Sequence, residues 1–158
     1  MKKNVISVLS TVAGVIIGAG TTGKIIGKSC KAARDMSEKH LALFLMMDRW
    51  VEVKQEKKNL ESYFMKNNYE KIAIYGMNYA GERLLQELKE SSITVEYGID
   101  QKADEIYTEV DVLSPKDKLP NVDAIIVTPI FFFDEIEEQL SKAVSCPIIS
   151  LEDILYEV

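Results

Sequence analysis

The spacing of apolar and polar residues divides the chain into three regions. Residues 4–23 hold no charged side chain, and half of them are Val, Ile, Leu or Ala. From residue 30 to 57 the chain contains neither Gly nor Pro and consists mostly of helix-forming residues. After Lys71, short apolar runs alternate with amphipathic stretches. This pattern predicts an N-terminal apolar helix over 1–29, a helical arm over 30–68 and a folded domain over 69–158.

The third region alternates in the way that is typical of a parallel sheet with crossover helices. Four apolar runs predict its main strands: Ile72–Tyr75, Ile93–Ile99, Val122–Thr128 and Pro147–Ser150. Val110–Leu113 is predicted either as a short strand or as an edge segment. Strands and helices at this spacing form βαβ units, and right-handed crossovers give the order 3-2-1-4. The predicted fold class is α/β, a small parallel-sheet, Rossmann-like domain preceded by a long N-terminal helical arm.

The connection between the first strand and its helix carries the main chemical signal. It reads Gly76-Met-Asn-Tyr-Ala-Gly81, a G-x-N-x-x-G pattern in which Asn78 replaces the second glycine of the dinucleotide fingerprint. The start of the helix directs backbone N–H groups and a partial positive charge at the space above the turn, which suits a phosphate. Because Asn tolerates left-handed geometry, the turn can still form, but the close approach of a diphosphate is less favoured.

Asp100 stands at the end of the second strand, where a carboxylate can accept hydrogen bonds from both ribose hydroxyls of a nucleoside. The alternative role is that of a solvated turn residue. Open α/β sheets bind ligands in the crevice outside the carboxyl ends of their strands. We therefore predict a ligand site formed by eight residues: Gly76, Met77, Asn78, Tyr79, Gly81, Asp100, Thr128 and Pro129. Phe131–Phe133 follow this site and either stack on a base, cover the pocket, meet a partner or pack mainly in the core.

The first region predicts a membrane anchor. Its uncharged stretch matches the length of a spanning helix, and the basic residues Lys24, Lys28, Lys31 and Arg34 on its C-terminal side favour a cytoplasmic location for the rest of the chain. We expect the protein at the cell membrane with its folded domain in the cytoplasm. A signal-like or peripheral helix and a soluble element are the alternatives. Gly18–Gly23 also matches G-x-G-x-x-G, but no strand ending in an acidic residue follows it, so we predict no phosphate site there.

The helical arm has an apolar face that admits two interpretations. The face consists of Leu43, Phe44, Met47, Trp50 and Val51. These residues either pack on their own domain or form the seam of a homodimer, and the pattern is too short to indicate a coiled coil. Asn59 is predicted to cap a second short helix over 60–66.

Composition and motif content exclude several classes of function for this chain. The net charge of −6, without a basic stripe in the folded part, argues against a nucleic-acid partner. Cys30 and Cys146 form no C-x-x-C motif, so we interpret both as reduced thiols, and no second His or Cys stands near His40 to form a metal site. The chain also lacks the Tyr-x-x-x-Lys pair in which a phenol acts as base beside an amine. We therefore do not expect catalysis by this chain alone.

Six segments give the C-terminal part a resemblance to known domains: Trp50, Ile72–Met77, Gly81–Leu84, Tyr97–Asp100, Val122–Thr128 and Ile148–Leu155. Over roughly residues 42–158 the chain resembles the small Rossmann-like (CoA-binding-like) nucleotide-binding domains of bacterial capsule and surface-polysaccharide biosynthesis proteins. The resemblance implies a nucleotide or nucleotide-sugar ligand at the glycine turn and at Asp100. It implies no reaction.

Three functions stay open at this stage. The first is a non-catalytic, membrane-tethered module that binds a nucleotide or nucleotide-sugar and is accessory to surface-polysaccharide biosynthesis. The second is a sugar-nucleotide-modifying enzyme completed by a partner or a dimer, and the third is a structural interaction protein with a vestigial pocket. NAD and a nucleotide-sugar are the candidate ligands, and no metal is expected.

Overall fold

The computed structural model describes residues 30, 31 and 33–158. One compact unit, Ala42–Val158, carries the sheet. The described residues before it are helical and hold an exposed ion pair in which Arg34 Nε lies 3.0 Å from Glu38 Oε1. The predicted anchor over 1–29, including its glycine pattern, lies outside the described residues. None of the helices in the described part of the chain combines the length and apolar character needed to cross a bilayer.

Helices and strands alternate along the unit. The described helices are α1 over 33–55, α2 Glu61–Lys66, α3 Tyr79–Leu88, α4 Phe133–Leu140 and α5 Leu151–Glu157. The described strands are β1 Lys71–Tyr75, β2 Thr94–Ile99, β3 Val112–Leu113, β4 Ala124–Val127 and β5 Ile148–Ser150. Short 3₁₀ turns occupy Ala103–Glu105 and Ile130–Phe132.

The strands form one parallel sheet in the order β3-β2-β1-β4-β5. Tyr75, the last residue of β1, pairs with Ile99 of β2 and with Val127 of β4, so three neighbouring strands end level with one another. The predicted α/β class with a small Rossmann-like sheet is confirmed. Once Val112–Leu113 is counted as the third strand, the order 3-2-1-4 holds and β5 adds a strand at the far edge. The segment left open in the sequence is therefore both a short strand and a sheet edge.

The central strand separates two apolar layers. Ile72 and Ile74 face a cluster that includes side chains of α1, α2, α3 and α5, whereas Ala73 and Tyr75 face a cluster that includes side chains of α4. Because β1 is covered on both faces, it needs a continuous apolar run instead of an alternating one. This is the run that the sequence shows before Gly76.

The arm packs on its own domain through one face of α1. Met46, Trp50 and Val53 are buried, and the Trp50 Nε1–H donates to Glu87 Oε2 on α3 at 2.6 Å. Phe44 and Val51 remain exposed by 64% and 52%. For Trp50 the interpretation as a core residue therefore applies, while a homodimer through the exposed residues stays a prediction.

Two asparagines, Asn59 and Asn68, flank helix α2 in the link between α1 and β1. Asn59 Oδ1 accepts a hydrogen bond from the Ser62 N–H at 3.1 Å, which satisfies a backbone donor in the first turn of α2. Asn68 adopts a left-handed conformation, with φ of 58°, just after α2 ends. The predicted range 60–66 therefore agrees with this helix to within one residue, although Leu60 and not Asn59 occupies the N-cap position.

Candidate functional site

The turn after β1 is held in a conformation that requires glycine. Gly76 has a φ of +89°, and a Cβ atom there would lie 2.6 Å from Pro129 Cδ. Its N–H donates to the Ile99 carbonyl at 2.8 Å, and its own carbonyl accepts from the Thr128 hydroxyl at 2.6 Å. The ends of β1, β2 and β4 are thereby tied together at one place.

Gly81 allows α3 to begin directly against this turn. A Cβ atom at Gly81 would lie 2.2 Å from the Gly76 carbonyl oxygen, closer than real side chains approach. The two glycines of the pattern therefore have separate roles: Gly76 supplies the unusual φ, and Gly81 supplies the space for the helix.

Asn78 caps α3 without the left-handed geometry that its sequence position suggested. Its backbone is extended, with φ of −85° and ψ of −161°, and its side chain accepts from the Tyr79 N–H at 2.8 Å. The expectation that Asn is tolerated here for its left-handed preference is therefore wrong, because the residue acts as an N-cap. The next two N–H groups, of Ala80 and Gly81, have no acceptor within the described part of the chain.

Both carboxylate oxygens of Asp100 accept hydrogen bonds from backbone N–H groups. Oδ2 accepts from the Met77 N–H at 3.1 Å, and Oδ1 accepts from the Lys102 N–H at 3.0 Å. The side chain is half-buried and joins the end of β2 to the glycine turn. Asp100 is therefore a structural part of the turn, and each oxygen retains capacity for one further hydrogen bond.

A cleft of about 750 Å³ opens at the level where the three strands end. Six of the eight predicted site residues line it: Gly76, Asn78, Tyr79, Asp100, Thr128 and Pro129. Nine further residues line the cleft: Leu43, Tyr75, Ala80, Gln101, Lys102, Phe132, Glu135, Ile136 and Gln139. The position agrees with the crevice expected where neighbouring connections leave a parallel sheet on opposite faces.

Met77 and Gly81 do not line the cleft. Met77 is 2% exposed and packs against β2, where a Cβ atom at Gly98 would lie 2.6 Å from Met77 Cγ. Gly81 lies beneath the turn and is also buried. Both predicted residues support the shape of the site from below. Gly98 was missed, although a glycine inside a strand signals such a close approach.

Tyr75 is the functional candidate that the sequence analysis missed. The residue is 4% exposed and lines the cleft, and its hydroxyl is buried without a hydrogen-bond partner among the described residues. Burial raises the pKa of this phenol, the Gln101 amide lowers it and the Asp100 charge raises it. Gln101 thus affects the hydroxyl, although no hydrogen bond of acceptable geometry joins them. The only signal in the sequence was a tyrosine at the end of a buried strand.

Apart from the half-buried Asp100, the charges around the cleft are few and exposed. Lys102 supplies the one ammonium group among the lining residues, and its Nζ lies 3.5 Å from Glu105 Oε2 in a pair whose side chains are 72% and 71% exposed. Glu135 adds a carboxylate from the start of α4. In the described part of the chain, no three His, Cys, Asp or Glu side chains converge to hold a metal ion.

The three phenylalanines after Pro129 divide their roles. Phe132 lines the cleft. The Phe131 ring packs edge to face on the Phe132 ring, with the two ring centroids 5.6 Å apart. Phe133 is partly buried against the α4 side of the sheet. One of the three is therefore placed to contact a ligand, and one belongs to the core.

Comparison with known proteins gives one family. Residues 68–147, about half of the chain, match the family described as "C2185-like, N-terminal". The matched segment includes the sheet up to β4, the glycine turn and α4. No curated protein and no solved structure gives a significant match.

Proposed function

We propose a function on the premise that the chain belongs to the C2185-like, N-terminal family. The proposed function of this chain is to bind a nucleotide or nucleotide-sugar in the cleft at the carboxyl ends of β1 and β4. We propose that the chain catalyses no reaction alone. The observation that carries this proposal is the convergence, on one cleft, of the glycine turn, the start of α3 and Asp100.

The start of α3 supports phosphate binding. The N–H groups of Ala80 and Gly81 have no acceptor in the described chain, and Ala80 lines the cleft. An anionic oxygen in the cleft would accept a hydrogen bond from the Ala80 N–H and would interact favourably with the helix dipole. Lys102, the one cation on the cleft wall, adds a screened attraction.

Asp100 supports recognition of the ribose. Because its carboxylate is fixed by the N–H groups of Met77 and Lys102, its remaining acceptor positions have a defined direction. Hydroxyl donors on a ribose would add to these contacts without displacing them. Phe132 and Ile136 on the opposite wall offer apolar contact for a ring.

The cellular setting is a further part of the proposal. The uncharged stretch 4–23 supports a membrane tether, and the resemblance to domains of surface-polysaccharide biosynthesis supports an accessory role there. Extraction of cell membranes at alkaline pH tests the tether. Retention of the full chain in the membrane supports it, and release into the supernatant contradicts it.

Calorimetric titration of the full chain tests ligand binding. The purified chain in mild detergent is titrated with UDP, UDP-glucose, ATP, NAD and coenzyme A. We expect saturable binding of at least one compound and a loss of about tenfold or more in affinity for Asp100→Asn. No binding to any of the five would overturn the proposal.

Asp123→Asn is the matched control for this variant. Asp123 also accepts hydrogen bonds from two backbone N–H groups, those of Glu70 and Lys71, but it lies at the start of β4, at the other end of the sheet. Both variants lose a charge that holds backbone donors, but only Asp100 lines the cleft. Equal losses of affinity in the two variants would show that the effect of Asp100→Asn comes from stability alone.

A further inference from the structure

The chain contains two buried tyrosines on the same side of the sheet with opposite hydrogen-bonding states. Tyr97 is 3% exposed, and its hydroxyl donates to the Pro120 carbonyl at 2.6 Å. Tyr75 is 4% exposed, and its hydroxyl has no partner among the described residues. A buried polar group without a hydrogen bond is destabilising, so an apolar residue would be more stable at this position. Within the described residues, no well-aligned hydrogen bond accounts for a hydroxyl at position 75.

The Tyr75 hydroxyl belongs to a residue that lines the proposed ligand cleft. Tyr75 lines the cleft together with Asp100, Gln101 and Ile136. The hydroxyl oxygen of Tyr75 has less than 1 Å² of solvent-accessible surface. A ligand therefore reaches this oxygen only after a neighbouring side chain moves. Gln101 can make this movement, because the residue is exposed and its amide lies near the hydroxyl without a well-aligned hydrogen bond to it. Rotation of Gln101 towards solvent would open the floor of the cleft.

The surroundings of the hydroxyl select the chemistry of the group that binds it. The Tyr75 ring belongs to an apolar cluster that includes Ile99 and Ile136. A phosphate at that depth would lose its hydration without a buried cation to replace it, which is unfavourable by several kcal/mol. A neutral phenol can donate to, or accept from, an uncharged polar atom. An uncharged ring with polar atoms on its edge fits these conditions.

We propose that Tyr75 determines the specificity of the cleft by forming a hydrogen bond to the polar edge of an uncharged ring of the ligand. Gln101 covers the hydroxyl in the ligand-free chain and moves aside on binding. This inference rests on the proposed binding function and adds the group that selects the ligand. The ring is either a nucleobase or the sugar of a nucleotide-sugar, and both offer the same hydrogen-bonding edge.

The test compares Tyr75→Phe with Tyr97→Phe, each made in the full chain. Both changes remove one buried hydroxyl and keep the ring. Without ligand, we expect Tyr97→Phe to lower the urea midpoint, because it leaves the Pro120 carbonyl unpaired, and Tyr75→Phe to leave the midpoint unchanged or raise it. In titrations with UDP, UDP-glucose, ATP, NAD and coenzyme A, Tyr75→Phe should weaken the binding of the compounds that wild type binds by about tenfold. Tyr97→Phe should leave these affinities unchanged.

Each outcome decides the inference. A loss with both UDP and UDP-glucose identifies the ring as the base, and a loss with UDP-glucose but not UDP identifies it as the sugar. Wild-type affinity of Tyr75→Phe for every compound that wild type binds overturns the inference and leaves the binding function intact. A drop in the ligand-free urea midpoint as large as that of Tyr97→Phe also overturns it, because the hydroxyl would then have a partner within the protein. Absence of wild-type binding to all five compounds overturns the binding function, and this inference with it.

Discussion

The carbonyl oxygen of Gly76 lies 2.2 Å from the point where a Cβ atom at Gly81 would stand. Because Gly81 has no Cβ atom, α3 can pack against the turn although only three residues separate the helix from the end of β1. Ala80, at the start of the same helix, lines the cleft. Stability and the geometry of the candidate site therefore depend on the same pair of glycines.

Gly81→Ala should destabilise the domain strongly. The added methyl group meets backbone, not a flexible side chain, so α3 or the turn must move. We expect the free energy of unfolding to fall by about 3 kcal/mol. Urea denaturation followed by circular dichroism measures this change. Gln86→Ala, at an exposed position of the same helix, is the control and should change it by no more than about 0.5 kcal/mol. Similar stability of the two variants would contradict the contact.

Glu87→Ala should loosen the arm from the sheet domain. The Glu87 carboxylate accepts from the Trp50 indole N–H at 2.6 Å and from the Leu60 backbone N–H at 3.2 Å, and its side chain is only 12% exposed. Its removal leaves two partly buried donors without an acceptor, which should cost about 2 kcal/mol. The fluorescence of Trp50, the one tryptophan of the chain, reports unfolding in urea.

Lys54→Ala separates this effect from the accompanying ion pair. Lys54 Nζ lies 3.0 Å from Glu87 Oε1, but the lysine side chain is 49% exposed. Its loss should cost less than about 1 kcal/mol, because an exposed ion pair contributes little. Equal losses in the two variants would mean that the ion pair, and not the buried donors, accounts for the role of Glu87.

The strands were predictable because their signal is local. The run before Gly76 contains only apolar residues, and that is what a strand covered on both faces requires. The buried face of α1 was less predictable, because the run Leu41–Met47 is apolar nearly all round. The structure buries Met46, Trp50 and Val53 and leaves Phe44 exposed. That choice depends on partners on α3 such as Glu87, which lie distant in sequence.

The candidate site was predictable where backbone geometry defines it and not where side chains do. The glycine turn and the ends of β2 and β4 meet because parallel strands end at one edge of a sheet. The missed residues Tyr75 and Gln139 reach the cleft because of the sheet face or helix face that they occupy. For a residue between two buried layers, the hydrophobic pattern carries no information about which face its side chain takes.

Tyr97→Phe should flatten the loss of stability in alkaline solution. Burial raises the pKa of Tyr97 from its ordinary 10.0 to about 12, and Cys146 adds to this effect. The unfolded chain therefore ionises first, and stability falls as the pH rises from 10 towards 12. Urea titrations at pH 9, 10 and 11 should show a shallower decline for the variant than for wild type. Parallel declines would mean that Tyr97 ionises equally in the folded and unfolded chains.

Asp123→Asn should make the domain less sensitive to acid. Hydrogen bonds from the Lys71 and Glu70 N–H groups lower the pKa of Asp123 below its ordinary 3.8. The carboxylate therefore stabilises the folded chain above the ordinary value, and this contribution is lost as the pH falls through the lower, folded pKa. Wild type should exceed the variant in stability by a constant amount from pH 7 to about 5, and the difference should shrink below about pH 4. Urea titrations at pH 7, 5, 4 and 3 measure it. A difference that stays constant down to pH 3 would mean that the side chain acts through its shape and not through its charge.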